Sequence, residues 1–176
     1  MADLSCPSSV TRGMRLLASV VLALTFTAVA NGGGGQTVRA HGVALSVPAG
    51  WHRVASTNDL PDPRTLLVAG TAGVAPKATQ CQIAAYRVPA HGAVVVVVGW
   101  KTAMSGGGRM KPGRWPLETL ISVKRRSFEC FAGRGAAASL ALGGRAYQVN
   151  VMVGNSTSAQ HIAQALAVGR SFRLAP

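Results

Sequence analysis

The sequence predicts an α+β fold: an antiparallel β-sheet with a C-terminal helix packed on one face, preceded by an N-terminal signal-peptide helix. Three observations lead there. Residues 93–100 read AVVVVVGW, a β-branched run suited to a central strand covered on both faces. Gly143-Gly144 separates AASLAL from RAYQVNVMV, the two-residue signal of a tight hairpin. Near the C-terminus, NSTSAQHIAQALAVGRSF sets several N-cap oxygens before an apolar stripe.

The elements follow in chain order. Arg12 and Arg15 lead into an apolar run from Leu16 to Ala30. The run is shorter than the roughly 20 residues that span a bilayer, and it has the length of a signal-peptide core. It closes on Ala28-Val29-Ala30, a small-x-small pattern, so cleavage after Ala30 would start the mature chain at Asn31. No Cys follows the run, which leaves a lipoprotein anchor without an acceptor thiol. The rival readings are an uncleaved anchor over residues 14–30 and a buried core helix. Residues 31–40, NGGGGQTVRA, read as a Gly-rich flexible linker. The expected organisation is therefore 1–30 signal peptide or anchor, 31–40 linker and 41–176 a single α+β domain.

Inside that domain VALSV (43–47) alternates, and Pro48-Ala49-Gly50 turns the chain into Trp51 at a core edge. TLLVAG (65–70) reads as a short buried strand, and QIAAYRV (82–88) as another, closed by Pro89. In the second arm of the Gly-Gly hairpin, Tyr147, Val149, Val151 and Val153 share one face. Gln148 and Asn150 make the other face half wet. In the helix Ile162, Leu166 and Val168 lie near one side, Gly169 ends it, and SFRL returns as a last strand or extended tail.

The early GVALSVPAGWHRV, the antiparallel meander and the closing strand–helix unit ending in SF resemble the PsbP-like α/β/α sandwich. The early GW, the valine-rich GAVVVVVGW and the closing GRAYQVNVMVG are also similar to a group of small exported bacterial proteins. The likeness covers most of residues 41–174 and is an order of elements rather than a set of catalytic residues. It implies a non-catalytic adaptor or a protein of unassigned activity, and it carries over no site residue.

Composition narrows the function classes. Hydrophobic residues make up 48% of the chain, enough for a core, which argues against wholesale disorder. Eighteen Lys and Arg stand against five Asp and Glu, a formal net charge of +13. Such a balance draws the protein to polyanions, although GC-rich coding also yields a composition rich in Ala, Gly, Val and Arg. Motifs for chemistry are missing. SGGGRMK (105–111) lacks the order of a phosphate-binding P-loop, and no GxSxG or HExxH occurs. His41, His52, His91 and His161 do not pair at helical ligand spacing. His41 and His91 each precede Gly and read as loop residues, and His161 reads as exposed on the helix. NDLPDP holds Asp59 and Asp62 in a turn whose Asp caps its own backbone. The sequence thus predicts no catalytic residue, no cofactor and no metal site.

The most individual segment is the basic stretch that begins at Lys101. Lys101, Arg109, Lys111, Arg114, Lys124, Arg125 and Arg126 surround Trp115, and only Glu118 opposes them. Arg pairs bidentately with phosphate or carboxylate, and an aromatic ring stacks on a sugar or base. These residues are the candidate anion-binding set. An exported protein meets anionic envelope polymers and lipid headgroups, so no specific nucleic acid is expected. The alternative is a solvated loop whose Trp packs on the core. Of the three Cys, Cys6 would leave with the leader. Cys81 and Cys130 are expected to form a disulfide at the base of the basic loop. Together these features predict an exported, non-catalytic binding or interaction module of the cell envelope for anionic ligands. The alternatives are an extracytoplasmic hydrolase whose site is not recognisable locally, and an accessory subunit tethered to the membrane through its N-terminal segment.

Overall fold

The computed structural model describes residues 35–56, 60–83, 85–102, 120–124, 131 and 133–176. Residues 1–30, where a signal peptide is expected, and residues 31–34 lie outside the described residues. So do Asp59, Arg109, Lys111, Arg114, Trp115, Arg125, Arg126 and Cys130.

The first strand corrects the domain boundary expected near His41. β1 (Gln36–Ala40) pairs with β2 (Val43–Val47) in an antiparallel hairpin. Glycine composition drew the linker too far. QTVRA alternates, and Val38 and Ala40 pack against the core. The two-residue turn His41-Gly42 takes positive φ at both positions, 47° and 75°, the hand that matches strand twist. β2 is also the partner of the last strand, β10 (Arg173–Leu174), so SFRL returns as a strand.

A five-stranded sheet forms the centre, in the order β3 (Trp51–Arg53), β4 (Arg64–Thr71), β7 (Ala93–Trp100), β9 (Arg145–Val153), β8 (Arg134–Leu142). Every pairing in it is antiparallel. The valine run occupies the middle strand, and Ala93 to Val98 are all fully buried. β8 and β9 meet at Gly143-Gly144, both at positive φ, as the hairpin signal required. One face packs Val95 and Val97 with Val149 and Val151 against β2, Trp51 and α1 (Ala159–Arg170). The regular structure of the described residues is mostly antiparallel sheet, and the C-terminal helix packs against the strands.

Much of the other face is covered too. Val94, Val96, Val98 and Met152 pack with Val54, Val74, Ala85 and Tyr86. The half-wet expectation for β9 holds at Gln148, which is half-buried and donates to the exposed Ser139 Oγ. It is corrected at Asn150, which is fully buried and donates its amide to the Val96 carbonyl at 3.4 Å. The cover is the segment that was read as a strand over residues 82–88. Only Tyr86–Arg87 (β6) is extended, and it pairs with Ala75–Pro76 (β5). Its apolar residues serve as a lid, with Ile83 and Val88 laid on the sheet face. Gln82 donates to the Pro63 carbonyl, across to the bend before β4.

The helix begins where its N-cap oxygens predicted, with Ser158 Oγ accepting from the His161 N–H at 3.2 Å. It does not end at Gly169. That residue lies within the last turn, where a Cβ would sit 2.8 Å from Val151 Cγ2 and 3.1 Å from Leu120 Cδ1. Gly169 lets the helix lie close on the sheet, and Ser171 forms the C-cap. Ser171 Oγ also accepts from the Ser46 N–H at 2.8 Å, which ties the helix end to β2.

A basic cleft at one end of the sheet

At the end of the five-stranded sheet where β4 starts, β7 ends and β9 starts, the core gives way to a cleft of about 310 Å³. The ladder builds it. Arg64 is opposite Gly99, and Gly99 is opposite Tyr147. These positions continue the core rows of their strands by the two-residue alternation of a sheet. Tyr147 is the last aromatic layer of that core, 5.5 Å from Phe172 between ring centroids. Beyond it the lining becomes cationic, with Arg64 on β4, Arg145 on β9 and Lys101 just past the end of β7.

The floor is apolar. The register of β4 shifts between Thr65 and Leu67, so Leu66 is the extra residue of a bulge. A Cβ on Gly99 would lie 2.6 Å from Leu66 Cδ1, so glycine there lets Leu66 lie over the strand in this rotamer. Pro61 and Trp100 close the sides. Asp62 Oδ1 accepts from the Lys101 N–H at 3.2 Å, which fixes the end of β7 to the bend 61–63. Asp62 therefore braces a neighbouring strand, while Asp59 of the same expected turn lies outside the described residues. It is the only acid among the described residues.

His41 overhangs this cleft from the β1–β2 turn, as a loop residue. Arg64 Nη2 donates to its Nε2 at 3.4 Å, which leaves the ring proton on Nδ1. Burial, then the Arg64 and Arg53 guanidinium groups, hold the His41 imidazole below its ordinary range. The ring is therefore neutral near pH 7, and the cleft's fixed charge comes from two guanidinium groups and one ammonium.

The remaining sequence candidates divide cleanly. Of the anion-binding set, Lys101 lines the cleft and Lys124 is exposed on the segment 120–124. The other six members lie outside the described residues. Cys81 is disulfide-bonded, while Cys6 and Cys130 lie outside the described residues, so no complete disulfide falls within them. His91 and His161 share a groove at the opposite end of the sheet, and His91 Nδ1 donates to the Ser156 carbonyl at 2.7 Å. His52 is exposed on β3. Among the described residues no three His, Cys, Asp or Glu gather as metal ligands. No helix among them is long and apolar enough to cross a membrane.

Sequence reasoning missed Arg64, Arg145 and His41 as a group. They are isolated in the chain and meet only through strand register. One signal was legible: Gly99 interrupts a valine run, and a glycine inside a strand marks a bulge or a close approach. No family model matches the chain, and no curated protein matches it.

Proposed function

We propose that this protein is an exported, non-catalytic binding module of the cell envelope that takes anionic ligands. The observation that carries the reading is the cleft rim, which Arg64, Lys101 and Arg145 line together, while Asp62, the one acid among the described residues, is engaged by the Lys101 backbone N–H. Positive charges held together at a concave site raise the potential there and favour an anion. The basic stretch from Arg109 to Arg126 adds to the net positive charge of the chain, and the PsbP-like resemblance fits an adaptor without catalytic residues. Export rests on the Arg-flanked apolar run and Ala28-Val29-Ala30, and a Cys81–Cys130 bond suits an oxidising compartment.

The test uses the secreted product. Its N-terminal sequence should begin at Asn31, and unfolding without reductant should release no free thiol. Its binding to phosphatidylglycerol vesicles should fall steeply between low and moderate salt, because exposed charges are screened over about 10 Å at 0.1 M. A full-length chain that stays in the membrane after alkaline extraction would replace the exported reading by the anchored one. Salt-independent binding, or none, would remove the anionic ligand.

A further inference from the structure

A basic surface that attracts polyanions needs neither walls nor a floor, and the cleft has both. Leu66, placed by the β4 bulge over Gly99, and Tyr147 give it an apolar base at the end of a packed core. Its volume of about 310 Å³ is at the small end of ligand pockets. Two of the cations lie on β4 and β9, and Lys101 follows the end of β7 between them. β4 and β9 run about 10 Å apart, so Arg64 and Arg145 line the cleft on either side of Lys101. A carboxylate is satisfied by one guanidinium fork, whereas three converging donors match the three terminal oxygens of a phosphate monoester.

We propose that the cleft between His41, Arg64, Lys101 and Arg145 binds a small phosphate monoester carrying a ring, with the phosphate on the three cations and the ring over Leu66 and Tyr147. This rests on the anion-binding reading above and narrows it to one discrete site. His41 is a positioning residue: its Nε2 accepts from Arg64 and holds that guanidinium at the cleft edge. The bulge and Gly99 shape the floor on which the ring lies.

Titration calorimetry on the secreted chain tests this with phenyl phosphate, inorganic phosphate and benzoate at 150 mM salt. Phenyl phosphate should saturate at one per chain and bind about tenfold or more tightly than either of the others. Arg64→Gln and Arg145→Gln should each weaken it about tenfold, with circular dichroism unchanged. Arg134→Gln, on β8 away from the cleft lining, should leave it as it was. The site falls if wild type does not bind phenyl phosphate. It falls equally if inorganic phosphate binds as tightly, because the floor then contributes nothing. Benzoate binding as tightly would replace the phosphate by a carboxylate and overturn the ligand class. If Arg64→Gln and Arg145→Gln keep salt-sensitive vesicle binding while wild type ignores phenyl phosphate, the discrete site fails and the broader anionic reading stands. If vesicle binding is also absent from wild type, both fail.

Discussion

The two ends of the five-stranded sheet are built on opposite terms. At one end the chain closes on itself. Thr157 Oγ1 donates to the Gly92 carbonyl at 2.9 Å, the Gly154 N–H to the same oxygen at 3.0 Å, and the Ser156 N–H to Ala90 at 2.8 Å. Thr71 Oγ1 accepts from the Ala93 N–H at 3.0 Å, and His91 caps the Ser156 carbonyl. At the other end, Arg64, Lys101 and Arg145 share a cleft and a sign of charge. Polar groups at the first end find partners within the fold, so substitutions there act on stability. The cations at the second end repel one another, so their removal acts on binding. His91 therefore belongs to the end that holds the fold together, and His161 lines the groove beside it.

The largest expected effect lies in the closed end. A Cβ on Gly154 would overlap the carbonyl oxygens of Pro89 and Ala90, which are backbone and cannot rotate away. Gly154→Ala should cost about 3 kcal/mol or more, read as an earlier urea midpoint and a lower Tm. A midpoint within error of wild type would show that this end is not closed as described. Thr157→Val comes next, because Thr157 is buried and its hydroxyl lies between two carbonyls, those of Gly92 and Ala90. Losing that donor should cost about 1–2 kcal/mol, and Thr157→Ser should recover most of it.

These two ends were not equally legible in the sequence. Strand and hairpin positions follow from local pattern: five consecutive valines, Gly143-Gly144 and the Ser158 cap each state their structure within a few residues. Side-chain burial on the second sheet face did not. Gln148 and Asn150 look wet because alternation measures polarity, while the cover over Asn150 comes from residues far away in the chain. QIAAYRV failed as a full strand for the same reason, since its apolar residues are explained by the face they cover. The cleft was least legible. Lys101 was found because it begins a basic stretch. Arg64, Arg145 and His41 stand alone in sequence, and register alone brings them together. Charge density along a chain finds runs, whereas a site on an antiparallel sheet is assembled across strands.

At the open end the expected changes in stability are smaller. Arg64→Gln and Arg145→Gln should shift the urea midpoint by no more than about 0.5 kcal/mol equivalent, as for exposed positions without a buried partner. Relief of like-charge repulsion favours the sign of a slight gain. A loss of 2 kcal/mol in either variant would place these arginines among the structural groups and erase the contrast between the ends.

The smallest effect separates the ends by pH. The His41 imidazole is held below its ordinary range by burial, then by Arg64 and Arg53. Lys101 and Arg145 also face the same cleft. The folded chain therefore binds a proton at His41 less readily than the unfolded chain does. By linkage, stability from this residue is complete above the ordinary imidazole range and declines as pH falls through it toward the lower folded value. The decline ends once both states are protonated. His41→Asn is the fitting variant, because Asn tolerates the positive φ of 47° that the turn requires. Urea midpoints compared at pH 8 and pH 5 should fall less in His41→Asn than in wild type. A bound anion beside Arg64 offsets the repulsion that His41 feels, so ligand binding should take up protons in wild type and not in the variant. Calorimetry in two buffers of different ionisation enthalpy reads that uptake directly. Identical pH slopes in the two proteins would mean that His41 lies outside the field of the cleft, and that the arginines do not act on it together.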